Sequence, residues 1–166
     1  VDCTIDWGDG SDPERITSGM PKHSYPSVVS DYIVKISGKV TSLSSSGISH
    51  PAITEVTQWG YTGLTRMDNA FANNALLEKI PGDVSGAFSE VTSFTSAFSD
   101  CIKLKSLPEN LLTFCTNITS LSYTFNNCTS LENVPEKLLH NAKVLARVDG
   151  LFEGCSALSV IPDELF

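Results

Sequence analysis

The stretch ITSLSYTFNNCTSLENVPEKLL, residues 118–139, carries a pattern that the chain spells three times. VTSFTSAFSDCIKLKSLPENLL precedes it at 91–112, and LARVDGLFEGCSALSVIPDELF follows it at 145–166. Each copy places Phe, Cys, Leu and an aliphatic residue three positions apart, with Pro directly after the aliphatic residue. A catalytic site needs its residues only once. The repetition therefore indicates that each copy builds one structural unit.

The repeat has a period of 27 residues and covers 64–166 without a gap. Six positions of the unit are apolar in all four copies, which predicts a core shared between units. A shorter, atypical copy begins near Val40. Two of the repeated positions are occupied by Phe71, Phe98, Phe125 and Phe152, and by Asn74, Cys101, Cys128 and Cys155.

A period in the twenties with Leu at every third position is typical of a solenoid. We predict an α/β solenoid, a leucine-rich-repeat array of short parallel strands and short helices, preceded by a small β-module. Leu131 and Val134 would lie on the strand, and Leu121 and Phe125 would share one face of a helical turn. At the C-terminal end, the apolar side chains would leave an uncovered face.

Residues 1–39 differ from the repeat and are predicted to form a partial β-module that caps the array. Residues 4–11, TIDWGDGS, have the pattern of a strand followed by a tight turn. The alternation of Tyr32, Val34 and Ile36 predicts a half-buried strand. The array then covers 40–166, with its units at 40–63, 64–90, 91–117, 118–144 and 145–166.

Charge and cysteine usage narrow the classes of function. A net charge of −8 argues against binding to nucleic acid, and no apolar run approaches the ~18 residues of a membrane span. Three of the five cysteines share one repeat position, which indicates buried free thiols that satisfy backbone groups of the turn. No CxxC pair is present, so we expect neither a metal nor a cofactor.

Two motifs resemble known families. TFNNCTSLENVPEKLL and LFEGCSALSVIPDELF resemble the BspA-type leucine-rich repeats of bacterial surface proteins, and VTQWGYTGLTRMDNAF is similar to the entry segment of such arrays. TIDWGDGS with HSYPSVVSDYIVKISG is similar to the closing strands of PKD-like β-sandwich modules. The resemblance implies an extracellular or cell-surface protein, often involved in adhesion, with no catalytic residues. The chain opens as a strand already under way, so we expect any export signal to lie upstream.

Other candidate sites are weak. His23, His50 and His140 stand far apart, without partners at metal spacing. Asp6, Asp9 and Asp12 surround a turn, which we interpret as a plain hairpin turn in preference to a calcium loop that would need a distal Glu.

Function is therefore expected at the variable positions of the predicted strand surface, without catalysis. The possible binding face consists of Glu55, Glu78, Lys79, Lys105, Ser106, Glu132, Asn133 and Ser159. Trp59 and Tyr61 are possible aromatic residues at the junction with the β-module, where packing is favoured over ligand contact. The partner would be a host or bacterial surface protein or a glycan. The alternative is a structural spacer domain of a larger surface protein or glycan-handling assembly.

Overall fold

The computed structural model describes residues 1–19, 21–25, 31–44 and 53–165. His50 and Phe166, which the sequence analysis considered, lie outside these ranges. The described residues contain three strands, β1 (Asp2–Asp6), β2 (Glu14–Ile16) and β3 (Lys35–Lys39), and no helix. The prediction of an α/β solenoid of the leucine-rich-repeat type is therefore wrong. The protein is all-β, and none of the described residues forms a helix that could span a membrane.

The three strands form one antiparallel sheet in the order β2-β1-β3. Cys3 and Ile5 alternate with polar residues along β1, and they lie buried beside Ile16 of β2. The strand predicted from Tyr32, Val34 and Ile36 begins only at Lys35, and the prediction that it is half-buried is wrong, because all five residues of β3 are exposed. Ile36 pairs with Ile5 but stays 44% exposed at the open edge of the sheet.

The repeat units are joined by isolated parallel bridges instead of strands. One row of bridges links Ser42, Arg66, Ser93, Ser120 and Arg147 in succession, and a second row contains the pairs Glu55–Lys79 and Ser106–Asn133. The predicted parallel strand at 131–134 is thus reduced to single-residue pairing. The 27-residue spacing still brings equivalent residues of successive units side by side.

The segment predicted to be helical, around Leu121 and Phe125, is a chain of turns. Every second amide of the segment donates to a carbonyl of the next unit. The donors are Leu121, Tyr123, Phe125 and Asn127, and the acceptors are, in the same order, Arg147, Asp149, Leu151 and Glu153, at 2.9, 2.7, 3.1 and 2.7 Å. The intervening amides of Thr124, Asn126 and Cys128 bond to carbonyls three residues back.

Backbone dihedrals explain why no helix forms in this segment. Tyr123 and Asn127 both have φ of 56°, in the left-handed region. Their equivalents in the other units have φ from 54° to 76°: Asn69, Asn73, Ser96, Asp100, Gly150 and Gly154. A right-handed helix requires negative φ at every residue, so a left-handed residue every fourth position prevents it. Residues 121 and 125 nevertheless point into the core, as the spacing predicts.

The core is one continuous cluster that runs from the sheet through the repeat units. The four equivalent phenylalanines stack as parallel rings, with centroids 5.5 Å apart for Phe71 and Phe98, 5.6 Å for Phe98 and Phe125, and 5.7 Å for Phe125 and Phe152. Cys3 and Ile5 of the sheet belong to the same cluster. We call the units from 64 to 165 the repeat stack.

Candidate functional site

The eight residues of the predicted binding face are all exposed. Backbone pairing sets them side by side: Glu55 bridges to Lys79, Ser106 bridges to Asn133, and the Glu132 amide donates to the Lys105 carbonyl at 3.0 Å. Each pair joins neighbouring units, and Glu78 and Ser159 hold the same repeat position as Lys105 and Glu132, so the eight residues mark one row of repeat positions. We call this row, Glu55, Glu78, Lys79, Lys105, Ser106, Glu132, Asn133 and Ser159, the bridge face.

A shallow hollow of about 250 Å³ lies at one end of the bridge face. Glu55, Lys79 and Ser106 line it, together with Val56, Thr57, Ile80 and Pro81. The structure therefore brings three of the predicted residues around one concavity. Its size is below that of most small-molecule sites, so the hollow suits one protruding side chain of a partner.

Charges alternate along one column of the bridge face, in the order Glu78, Lys105, Glu132. Glu78 forms an ion pair with Lys103, whose Nζ lies 3.4 Å from the Glu78 carboxylate, and both side chains are about half exposed. An exposed pair of this kind contributes about 0–1 kcal/mol. The carboxylate can therefore exchange Lys103 for a cationic group of a partner at little cost.

Trp59 and Tyr61 have different environments. Trp59 is buried, its Nε1 donates to the Pro81 carbonyl at 2.7 Å, and its ring contacts Phe71 and Phe88. It is a core residue without access to a ligand. Tyr61 is 66% exposed and leaves its ring available to solvent.

The sequence analysis missed a chain of hydrogen-bonded hydroxyls that crosses four units beside the first row of bridges. It runs through Asp68, Ser93, Thr95, Ser120, Ser122 and Asp149, with donor–acceptor distances from 2.5 to 3.4 Å. The signal was present, because two repeat positions hold only polar residues: Arg66, Ser93, Ser120 and Arg147, and Asp68, Thr95, Ser122 and Asp149.

This hydroxyl chain is suited to a structural role. The hydrogen bonds of the chain join hydroxyls to one another and to the carboxylates of Asp68 and Asp149. Its hydroxyls thereby satisfy one another in a partly buried setting.

The thiols at the repeated position form a ladder of their own. The Sγ atoms of Cys101, Cys128 and Cys155 donate to the carbonyls of Phe71, Phe98 and Phe125 at 3.2, 3.2 and 3.1 Å. Burial raises the pKa of Cys101 to about 12 and also raises the pKa of Cys128 and Cys155. A thiol that stays protonated is a poor nucleophile and metal ligand, so these cysteines serve as hydrogen-bond donors.

The turn after β1 is held by its own carboxylates. Asp6 accepts from the Gly8 amide at 2.9 Å, and Asp9 accepts from the amide and hydroxyl of Ser11 and faces the His23 Nε2 at 2.8 Å. The hydrogen bonds from Ser11 and then from His23 lower the pKa of Asp9 to about 2. These contacts are those of a turn with Asp side chains bonded to nearby backbone.

In the part of the chain that the structure describes, no cluster of side chains is arranged to bind a metal ion. There, no group of three or more His, Cys, Asp or Glu side chains comes close enough to hold an ion. Asp12, the third carboxylate of the turn, is exposed. His23 stacks on Trp7 with ring centroids 4.7 Å apart and packs edge-on against Tyr25.

Comparison with known proteins adds no relative. No protein-family model matches the chain, and neither a curated protein nor a solved structure matches it significantly. The functional argument therefore rests on the site itself.

Proposed function

We propose that this chain is a non-catalytic recognition module, exported to the cell surface or secreted, that binds another surface protein or a glycan through the bridge face. One observation carries the proposal. Of the eight exposed residues, which come from successive units, six are joined in pairs across neighbouring units by backbone pairing. The location rests on the sequence resemblance of the repeats and of the first 40 residues.

Rigidity of the support favours a binding role. Each of the units starting at 64, 91 and 118 donates four amides to the next unit, and the phenylalanine rings stack inside. A surface held in its bound conformation loses little conformational entropy on association. Even a face of modest size can then give useful affinity.

The chemistry of the bridge face favours a protein over a glycan. Sugars are commonly recognised through aromatic side chains, and the bridge face contains none. The alternating column of Glu78, Lys105 and Glu132 instead favours a partner with charges of the opposite order. The hollow beside Lys79 would take one side chain of that partner.

A structural spacer is the second candidate function. The continuous ladders of amides, hydroxyls and thiols favour it, because they stiffen the stack along its length without requiring a ligand. A spacer would tolerate any substitution on the bridge face that leaves the fold intact. The two functions therefore differ in what the same variant does.

The test compares two triple variants on arrays of surface proteins and glycans. Glu78→Ala, Lys105→Ala and Glu132→Ala together remove the alternating charges of the bridge face. Glu90→Ala, Lys143→Ala and Glu153→Ala remove the same charge types from exposed positions elsewhere in the repeat. We expect the first variant to weaken binding by about tenfold or more, equivalent to about 1.4 kcal/mol, and the second to leave it unchanged. Equal binding by both variants would contradict the recognition function and favour the spacer.

A further inference from the structure

The backbone contacts along the bridge face are interrupted beside the hollow. On one side of the interruption Glu55 is bridged to Lys79, and on the other side Ser106 is bridged to Asn133. Between Lys79 and Ser106, and between the residues next to them, the described chain forms neither a bridge nor a backbone hydrogen bond. Both residues line the hollow of about 250 Å³, so the hollow lies at the interruption.

The interruption leaves backbone groups open at the hollow. In the preceding step, the Val56 amide donates to the Lys79 carbonyl at 3.0 Å. The equivalent groups at the interrupted step are the Ile80 amide and the Ser106 carbonyl, and neither is hydrogen-bonded to a described residue. Ile80 is only 8% exposed, so an acceptor supplied by a ligand would satisfy a donor that has little access to water.

The charges around the interruption are mainly positive. Glu78 forms its ion pair with Lys103, whereas Lys79 and Lys105 form no ion pair with a described residue. Even when Glu55 is included, three lysines and two glutamates leave one positive charge here, in a chain whose net charge is −8. An anionic group of a partner is therefore attracted to this part of the bridge face.

The lining of the hollow fits an acidic side chain. Its apolar residues are Val56, Ile80 and Pro81, which can contact the methylene groups of Asp or Glu. The carboxylate can accept from the ammonium group of Lys79 and the hydroxyl of Ser106, and such charge-assisted hydrogen bonds are stronger than neutral ones. An acidic sugar fits less well, because its ring carries hydroxyl groups and no aromatic residue lines the hollow.

We propose that the hollow binds an acidic side chain of the partner, whose carboxylate is held by Lys79, Ser106 and the Ile80 amide. The identity of the partner as a protein rests on the proposed function. The preference of the hollow for a carboxylate rests only on the groups that line it. Glu55 lines the same hollow, so its negative charge opposes the carboxylate and lowers the affinity.

The probe is N-acetyl-glutamic acid α-amide, a capped glutamate whose only charge is the side-chain carboxylate. Its binding is followed by amide chemical shifts of the whole chain in solution, with the corresponding capped glutamine as a neutral probe of the same shape. We expect the capped glutamate to shift the amides of Ile80, Lys105 and Ser106 with an affinity in the millimolar range. The capped glutamine should leave these amides unshifted.

Three variants change the affinity for the capped glutamate in different directions. Lys79→Met removes the ammonium group and should weaken binding about tenfold. Lys143→Met, at an exposed lysine elsewhere in the repeat, should leave the affinity unchanged. Glu55→Gln removes the opposing charge and should strengthen binding about threefold. Raising the salt concentration from about 0.1 to about 1 M should weaken binding to the unmodified chain, because salt screens the attraction.

The proposal is overturned if the capped glutamate shifts none of these amides, or if the capped glutamine shifts them equally. Equal or tighter binding of glucuronate, measured on the same amides, would assign the hollow to an acidic sugar instead. If the capped glutamate fails while the triple variant of the bridge face loses binding on the arrays, only this inference is wrong. If the capped glutamate binds while both triple variants bind equally on the arrays, the recognition function is wrong and the carboxylate site stands.

Discussion

Replacing Phe125 with alanine tests whether the stacked rings support the repeat stack. The side chain is 1% exposed and lies between Phe98 and Phe152, with ring centroids 5.6 and 5.7 Å away. Losing roughly 100 Å² of buried apolar surface at about 25 cal/mol per Å² costs about 2.5 kcal/mol. Two stacked pairs add about 1–3 kcal/mol. The sum agrees with the roughly 3–5 kcal/mol typical of buried Phe→Ala changes.

Equilibrium unfolding in urea measures this free energy, and two other phenylalanines serve as controls. Phe152 has one stacked neighbour and is half-buried, so Phe152→Ala should cost about half as much. Phe114 is 41% exposed, and Phe114→Ala should cost less still. The reasoning is refuted if Phe125→Ala lowers the free energy of unfolding by less than about 1 kcal/mol, or by no more than Phe152→Ala does.

Two further predictions concern the thiols and a glycine. At pH 8, Cys101 and Cys128 should react with an aromatic disulfide reagent only after the protein is unfolded in guanidinium, because burial keeps their thiols protonated and inaccessible to the reagent. If the native protein reacted as soon as it was mixed with the reagent, this prediction would be wrong. Gly38→Ala should lower the free energy of unfolding by more than Gly10→Ala, as measured in urea. Both glycines have positive φ, a conformation that costs alanine about 1–3 kcal/mol of backbone strain. Only at Gly38 would the new Cβ also lie 2.6 Å from a backbone oxygen, that of Asp2. Equal losses for the two variants would show that β1 and β3 can separate to admit a side chain.

The apolar pattern predicted most of the residues that are inside, although Val84, Val148 and Ile161 at its apolar positions are exposed, and it did not predict the backbone conformation. Leu77, Leu104 and Leu131 are fully buried, as their repeat position indicates, and so are Leu121 and Phe98. This part of the prediction succeeded because burial depends on the spacing of apolar residues relative to the repeat. It does not depend on whether the intervening chain is helix or turn.

The prediction of secondary structure failed where two backbone conformations are compatible with the same spacing of apolar residues. Apolar residues four positions apart share a face in a helix, but a pair of turns with one left-handed residue each returns the side chain to the same side. The distinguishing signal was one repeat position, occupied by Asn73, Asp100, Asn127 and Gly154, the residue types that best tolerate positive φ. The repeat position of Tyr123 also has positive φ, but it could not be recognised from the sequence, because tyrosine rarely adopts a left-handed backbone.

The exposure of the candidate site residues could be predicted from the sequence, and their surroundings could not. Exposed polar residues between fixed apolar ones, such as Lys79 and Ser106, mark a surface whichever way the backbone turns. The surroundings depend on tertiary packing. The Trp59 indole donates to the Pro81 carbonyl, 22 residues away in the sequence, and no local sequence pattern predicts such a contact.

The same backbone that excludes a helix also gives the stack a direction. A helix would satisfy its amides internally, whereas these turns release every second amide toward the next unit. Each unit between 64 and 144 is therefore complete only when another lies on its donor side. The contacts between units are made by backbone amides and carbonyls, whereas the proposed binding uses side chains of the bridge face. Substitutions on the bridge face should therefore leave the stack folded, so the proposed binding can be tested in an intact chain.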